Sequence, residues 1–156
     1  QDLIMVPCIR DFLVLGCAKD HPFATREEIH VRELEGQKFI IREPGSGTRA
    51  LFDQFINRHN LKICTSWEAT CPDAFRNAIL YNHCLAVVSV RLLERDIRSR
   101  QIHIFIPHTN ELERSFSLVY HKDKIFTPAM EAIRNIVAHY QQPDWLNNIP
   151  VGTLME

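Results

Sequence analysis

The segment Arg42-Glu43-Pro44-Gly45-Ser46-Gly47-Thr48-Arg49 contains the residue types that an anion site needs. Two glycines and a proline within four residues predict a turn, and glycine lets a backbone approach a ligand closely. A helix that starts near Thr48 would point the unpaired amides of its first turn, and its dipole, at that turn. Ser46 and Thr48 would add hydroxyl donors. Arg42 and Arg49 would add guanidinium groups that can grip carboxylate or phosphate in a bidentate way.

A simpler interpretation of the same segment is that Ser46 or Thr48 only caps the helix, as N-cap residues commonly do. The spacing alone does not decide between a cap and an anion site. The segment is not a Walker loop, which requires GxxxxGK[ST], and the chain contains no GxGxxG. Nucleotide hydrolysis is therefore not expected.

The elements around this segment predict an α/β fold. Short apolar runs of the kind found in strands buried on both faces occur three times, at 12–15, 39–41 and 85–88. Amphipathic patterns predict helices from Thr48, from Pro72 and over 127–140. Strands that alternate with helices form sheets with helical crossovers, and ligands bind such sheets at the carboxyl ends of strands, next to helix N-termini.

Four sequence blocks carry information beyond their single residues. They are HPFA at 21–24, FIIREPGSGTR at 39–49, LAVVSV at 85–90 and RSFSLVYHK at 114–122. In order and with fitting spacing over roughly residues 2–140, they resemble the corresponding blocks of LysR-type transcriptional regulators. Within that family the chain resembles most the branch that controls carbon-fixation operons.

The resemblance implies an effector-binding domain with the type 2 periplasmic-binding-protein fold. Such a domain has two α/β lobes with mixed, mostly parallel sheets, joined by crossing strands around a ligand cleft. On this basis residues 1–17 would be a partial first lobe with a crossing strand, and 18–122 would be the complete second lobe. Residues 123–156 would return to the first lobe with the helix 127–140 and a tail. The chain would then be an N-terminally truncated fragment that lacks the winged helix-turn-helix.

The resemblance also assigns ligand contacts. The family's ligand-binding turn corresponds to Gly45, Ser46, Gly47 and Thr48, with Arg42 and Arg49 beside it, and its strand-end position corresponds to Ser89. One departure stands out, because Asn82-His83-Cys84 occupies the place of the family's G-L-G. The loss of both glycines predicts a bulkier wall near the cleft.

Composition excludes several other functions. The net charge is −1, without the basic excess of a nucleic-acid-binding domain, so DNA contact is expected only through the absent N-terminal domain. No apolar run reaches the roughly 20 residues of a membrane span. Five cysteines without a CxxC pair favour reduced thiols and a cytoplasmic location. His103 and His108 lack the second close pair of a structural zinc site, so neither metal nor cofactor is expected.

These observations predict the effector-sensing domain of a bacterial LysR-type regulator. It would bind a small anionic metabolite and work as a homodimer or homotetramer. No convincing nucleophile–base pair is visible, so the chain is not expected to be an enzyme. The alternative is a solute-binding protein of a transport system with the same fold.

Overall fold

The computed structural model describes residues 2–141 and 149–156, which form two compact units. The larger unit contains residues 12–112 and 149–156, and the smaller contains 2–11 and 113–141. The strands are β1 (Leu3–Ala18), β2 (Glu28–His30), β3 (Lys38–Arg42), β4 (Cys64–Ala69), β5 (Leu85–Ser89), β6 (Ile102–Pro107), β7 (Glu113–His121) and β8 (Gly152–Met155). The α-helices are α1 (Gly47–Arg58), α2 (Pro72–Asn82), α3 (Glu94–Arg98) and α4 (Pro128–Ala138). None of these helices is long and apolar enough to cross a membrane.

The larger unit is built on a mixed sheet with the strand order β2-β8-β6-β1-β5-β3-β4. β1 runs antiparallel to both of its neighbours, β5 and β6. The pairs β2–β8, β6–β8, β3–β5 and β3–β4 are all parallel. The predicted α/β fold with a mixed, mostly parallel sheet is therefore confirmed.

The centre of this sheet is covered on both faces. Consecutive residues of a strand point to opposite faces, yet Leu13, Val14 and Leu15 of β1 are all fully buried. The helix α1 covers one face with Phe52, whose ring centroid lies 5.3 Å from that of Phe39 on β3. Burial of such side chains from water is the main favourable contribution to folding.

The smaller unit combines β7, which pairs with β1, and α4. The backbone amide of Lys122 donates to the carbonyl oxygen of Asp2 at 2.8 Å. The Asp11 side chain is fully buried, and Arg114 Nε donates to its Oδ2 at 2.7 Å. The predicted helix over 127–140 is present as α4. In the part of the chain that the structure describes, every residue of α4 is at least partly exposed.

One feature of the fold differs from the sequence-based expectations. The sequence predicts no element in the tail from 141, yet its end forms β8, which pairs with β2 and β6. Pro143 and Trp145 lie outside the described residues. The two compact units meet in sequence at 11/12 and 112/113. The predicted lobe boundaries at 17/18 and 122/123 stay predictions. The assignment of these segments to two lobes of one domain stays a prediction.

Gly152→Ala is expected to destabilise the protein by about 1–3 kcal/mol, the usual range for overpacking a core. A Cβ at Gly152 would overlap the fully buried ring of Phe105 and would come within 3.2 Å of the Glu27 carbonyl oxygen. Urea unfolding measures the change. Gly47→Ala is the matched control, because its Cβ would meet nothing within 4 Å. Equal stability of the two variants would contradict this account of β8.

Candidate ligand-binding site

The candidate site lies at one edge of the sheet in the larger unit. β3 and β5 run parallel with Ile40 opposite Ala86, so their carboxyl ends, at Arg42 and Ser89, reach the same edge. β4 also runs parallel to β3 and places Ala69 opposite Arg42. The chain turns at this edge and enters α1 at Gly47. The predicted turn between a buried strand and a helix is therefore confirmed.

The turn has a backbone geometry that requires glycine. Gly45 adopts a φ of +88°, in the left-handed region that residues with a Cβ disfavour. The amide of Ser46 donates to the Glu43 carbonyl oxygen at 3.3 Å, and the amide of Ala50 donates to the Ser46 carbonyl oxygen at 2.9 Å. The second bond is the first of the helix, so the amides just before Ala50 belong to the first turn, where no intrahelical carbonyl is available.

The Ser46 side chain makes no capping hydrogen bond, although Ser46 is the N-cap residue of α1. This differs from α4, where Thr127 Oγ1 accepts from the Met130 amide at 3.3 Å. Thr48 follows within the first turn and is only 8% exposed. The alternative in which Ser46 serves as a plain side-chain cap is thus not what the structure shows.

The positive end of the α1 dipole is not neutralised by an acidic residue in its first turn. The first turn of α2 begins at the same sheet edge, after β4, and contains Asp73. An acidic side chain in the first turn compensates the partial positive charge of a helix N-terminus. Of these two helix N-termini, that of α1 is therefore the better place for an external anion.

Arg42 is bound by its neighbour in sequence. Its Nε donates to Glu43 Oε2 at 2.7 Å and its Nη2 donates to Glu43 Oε1 at 2.8 Å. The hydrogen bonds from Arg42 lower the pKa of the Glu43 carboxyl to about 2, and the same pairing raises the pKa of Arg42. Because the carboxyl pKa is lowered, the pair is intact at neutral pH and is lost only as the pH falls toward 2.

Arg49 is held in the same way by groups of the protein. Its Nε lies 2.8 Å from both carboxylate oxygens of Asp53, one helical turn later. Its Nη1 donates to the Arg42 carbonyl oxygen at 3.0 Å and lies 3.6 Å from Glu68 Oε2. The sequence suggested two guanidinium groups directed at a ligand; the structure pairs both with carboxylates. Whether they contact a ligand stays a prediction.

Ser89 ends β5 opposite Leu13 of β1. Its Oγ accepts from the Arg91 amide at 3.3 Å and so caps the short 3-10 helix Val90–Leu93. The structure therefore places Ser89 at the same edge as the turn, with a structural role of its own. Ligand contact by Ser89 stays a prediction.

Comparison with known proteins identifies the family to which this arrangement belongs. Residues 1–142 match the family of the LysR substrate binding domain. The chain belongs to this family. The HTH-type transcriptional regulator CysL of Bacillus subtilis is 28% identical over 86% of this chain and 43% of its own length. The RuBisCO operon transcriptional regulator of Allochromatium vinosum is 30% identical over 80% of this chain and 41% of its own length. The chain thus spans less than half the length of these relatives.

Solved structures of LysR regulatory domains share the fold. The CcmR regulatory domain of Synechocystis PCC6803, in complex with 2-PG, superposes with a TM-score of 0.79 at 23% identity. The match covers 88% of this chain and 66% of that one. The effector binding domain of QuiR, in complex with shikimate, gives a TM-score of 0.73 at 18% identity and covers 89% of this chain and 65% of that one. The predicted family and its periplasmic-binding-protein-like fold are confirmed.

The departure from the LysR pattern at 82–84 lies at the end of α2. His83 is the C-cap residue of α2 and adopts the left-handed conformation, with a φ of +49°. This conformation is uncommon for a residue other than glycine. Asn82 and His83 are exposed, whereas Cys84 is buried. Burial raises the pKa of the Cys84 thiol, so it stays protonated and is a poor nucleophile. That residues 82–84 form a bulkier wall near a ligand stays a prediction.

The capping geometry predicts different consequences for two N-cap substitutions. Ser46→Ala should change the free energy of unfolding by less than about 0.5 kcal/mol, since no side-chain cap bond is lost. Thr127→Ala should cost about 1 kcal/mol of helix stability, because it removes the hydrogen bond to the Met130 amide. Urea unfolding followed by circular dichroism measures both. A larger loss in the Ser46 variant would show that Ser46 is a cap.

Proposed function

We propose that this chain is the effector-sensing domain of a LysR-type DNA-binding transcriptional regulator, and that the turn Gly45–Thr48 binds a small anionic metabolite. The observation that carries the proposal is the N-terminus of α1. It stands at the carboxyl edge of β3 and β5 without a side-chain cap from Ser46 and without a first-turn acid. First-turn amides and a helix dipole together favour a negatively charged ligand at such a place.

The names of the neighbours support a small-molecule effector. The CcmR domain was solved with 2-PG and the QuiR domain with shikimate, a carboxylate. Both superpose on this chain over nearly nine-tenths of its length. The relatives are named as transcriptional regulators, which favours a regulator over a transport solute-binding protein and over an enzyme.

The charges at the turn shape how an anion would bind. Arg42 and Glu43 cancel each other, and Arg49 faces the two carboxylates of Asp53 and Glu68. Side-chain charge alone therefore gives no net attraction for an anion. Backbone amides and the hydroxyls of the turn would supply the first contacts, and a guanidinium would join only by exchanging a carboxylate of the protein for one of the ligand.

Signal transmission would follow from the placement of this site in a two-lobed domain. In the proposed protein the remaining first-lobe segments and the winged helix-turn-helix lie outside this chain, which spans 43% of CysL. A ligand changes the arrangement of lobes only if it binds one arrangement better than another. Closure around the effector would then be passed to the DNA-binding domains.

Self-association as a homodimer or homotetramer is part of the proposal. β4 is an edge strand of the sheet, and Trp67 on it is 55% exposed. Tyr81 on α2 is 72% exposed. Exposed edge strands with large apolar side chains favour association with another chain. All five cysteines are free, which fits the proposed cytoplasmic location.

The double substitution Ser46→Ala with Thr48→Val is expected to weaken anion binding at least tenfold, about 1.4 kcal/mol, since it removes two hydroxyl donors. Isothermal titration with 2-PG, shikimate and inorganic phosphate measures the affinities. Ser66→Ala with Thr65→Val is the matched control, because it makes the same two replacements on the exposed strand β4. Its affinities should equal those of the unchanged protein.

A third variant tests whether the pairing of Arg42 with Glu43 weakens anion binding. Glu43→Gln removes the carboxylate that holds Arg42, so the freed guanidinium should raise the affinity for the same anions. Affinities unaltered in the double variant, or the absence of binding to all three anions, would contradict the proposed site.

A further inference from the structure

We propose that His59, Glu111 and Glu156 form a binding site for one divalent transition-metal ion of the Zn²⁺ class. One ligand atom from each of these side chains lies within 4.8 Å of those from the other two. The three residues are 52 and 45 positions apart, so no sequence spacing of metal ligands reveals them. The site lies in the larger unit, at the end of α1 opposite the turn Gly45–Thr48.

The three residues come from three anchored elements. His59 is the C-cap of α1, and its amide donates to the Phe55 carbonyl oxygen at 3.1 Å. Glu111 belongs to the 3-10 helix Asn110–Leu112, which is fixed by the buried Leu112. Glu156 follows β8, a strand paired on both sides. The backbone at His59 and Glu111 is therefore held before any ion binds, which lowers the entropy cost of binding, and Glu156 stands next to a strand that is itself fixed.

The side chains of the two inner ligands are also fixed. The His59 ring packs against the ring of Phe55, with centroids 4.6 Å apart, and its side chain is 16% exposed. Its Nε2 lies 2.7 Å from Glu111 Oε2, and the Glu111 side chain is 11% exposed. Glu156 is exposed, and its backbone carbonyl oxygen lies 3.2 Å from His30 Nδ1.

The local charge favours a divalent cation. With His59 neutral, as a metal ligand must be, the two carboxylates give −2. Arg58 is hydrogen-bonded to Glu111 and reduces the sum to −1. The Arg58 side chain is 67% exposed and can move into solvent when an ion arrives. A cavity of about 410 Å³ lined by Phe55, Arg58 and Glu111 adjoins the cluster and leaves room for water ligands.

The donor set selects the kind of ion. One imidazole nitrogen and two carboxylate oxygens suit Zn²⁺ and similar ions, whereas Mg²⁺ and Ca²⁺ prefer oxygen ligands alone. Tetrahedral zinc at about 2.1 Å from each ligand separates the ligands by about 3.4 Å. His59 Nε2 and Glu111 Oε2 would therefore move apart by roughly 0.7 Å, breaking their hydrogen bond in exchange for two metal bonds.

Titration of the 156-residue chain with ZnCl₂, followed by calorimetry and by metal analysis after dialysis, tests the proposal. One ion per chain is expected at this site. His59→Gln and Glu156→Gln should each weaken Zn²⁺ binding at least tenfold; Glu156→Gln removes only an exposed carboxylate and leaves the core intact. His108 lies three residues before Glu111 but outside the cluster. His108→Gln should therefore bind Zn²⁺ like the unchanged protein.

Two further measurements separate this site from others. Arg58→Gln should bind Zn²⁺ more tightly, since it removes the cation that competes for Glu111. Co²⁺ bound at the cluster should show no thiolate charge-transfer band, because no cysteine contributes. Equal Zn²⁺ affinity in the native, His59→Gln and Glu156→Gln proteins, or a cobalt spectrum with thiolate bands that these substitutions leave unchanged, would overturn the proposal.

Discussion

The parallel pairing of β3 with β5 is the constraint on which the candidate site depends. It brings Arg42 and Ser89 to one edge of the sheet, and the chain can continue from β3 only through a turn. The left-handed Gly45 makes that turn tight enough for α1 to begin at Gly47. A slip of this register would move the helix N-terminus away from the ends of the strands. The buried C-terminal part of β1 pairs antiparallel with the other side of β5, with Leu13 opposite Ser89, and so holds β5 inside the sheet.

The parts of the fold that the sequence predicted are those with a strong local pattern. The apolar run 39–41 marks the centre of β3, the run 85–88 makes up most of β5, and α1 places Phe52 and Phe55 on one face. β8 could not be predicted, because four residues after a proline-containing tail become a strand only by pairing with β2 and β6. That pairing is non-local and leaves no periodic signal in so short a segment.

The sequence predicts where the candidate site lies in the chain, but not which side chains contact each other there. The glycines and hydroxyls of 45–48 indicate a turn that faces an anion, and the family match at 1–142 strengthens this interpretation. Residue types alone could not show that Arg42 is paired with Glu43, or that Arg49 is paired with Asp53. These pairs change the electrostatic account, since they shift the attraction for an anion from side chains to backbone amides. The cluster of His59, Glu111 and Glu156 is likewise visible only in three dimensions.

The central claim is that backbone amides at the start of α1 bind the anion. Nuclear magnetic resonance of the ¹⁵N-labelled chain during titration with 2-PG or inorganic phosphate tests it most directly. The account predicts saturable shifts of the amide signals of Gly47, Thr48 and Arg49. The amides of Asp73 and Ala74, at the start of α2, should stay in place because Asp73 already occupies that helix end. Equal shifts at both helices, or no shift at Gly47 and Thr48 while anion binds, would contradict the account.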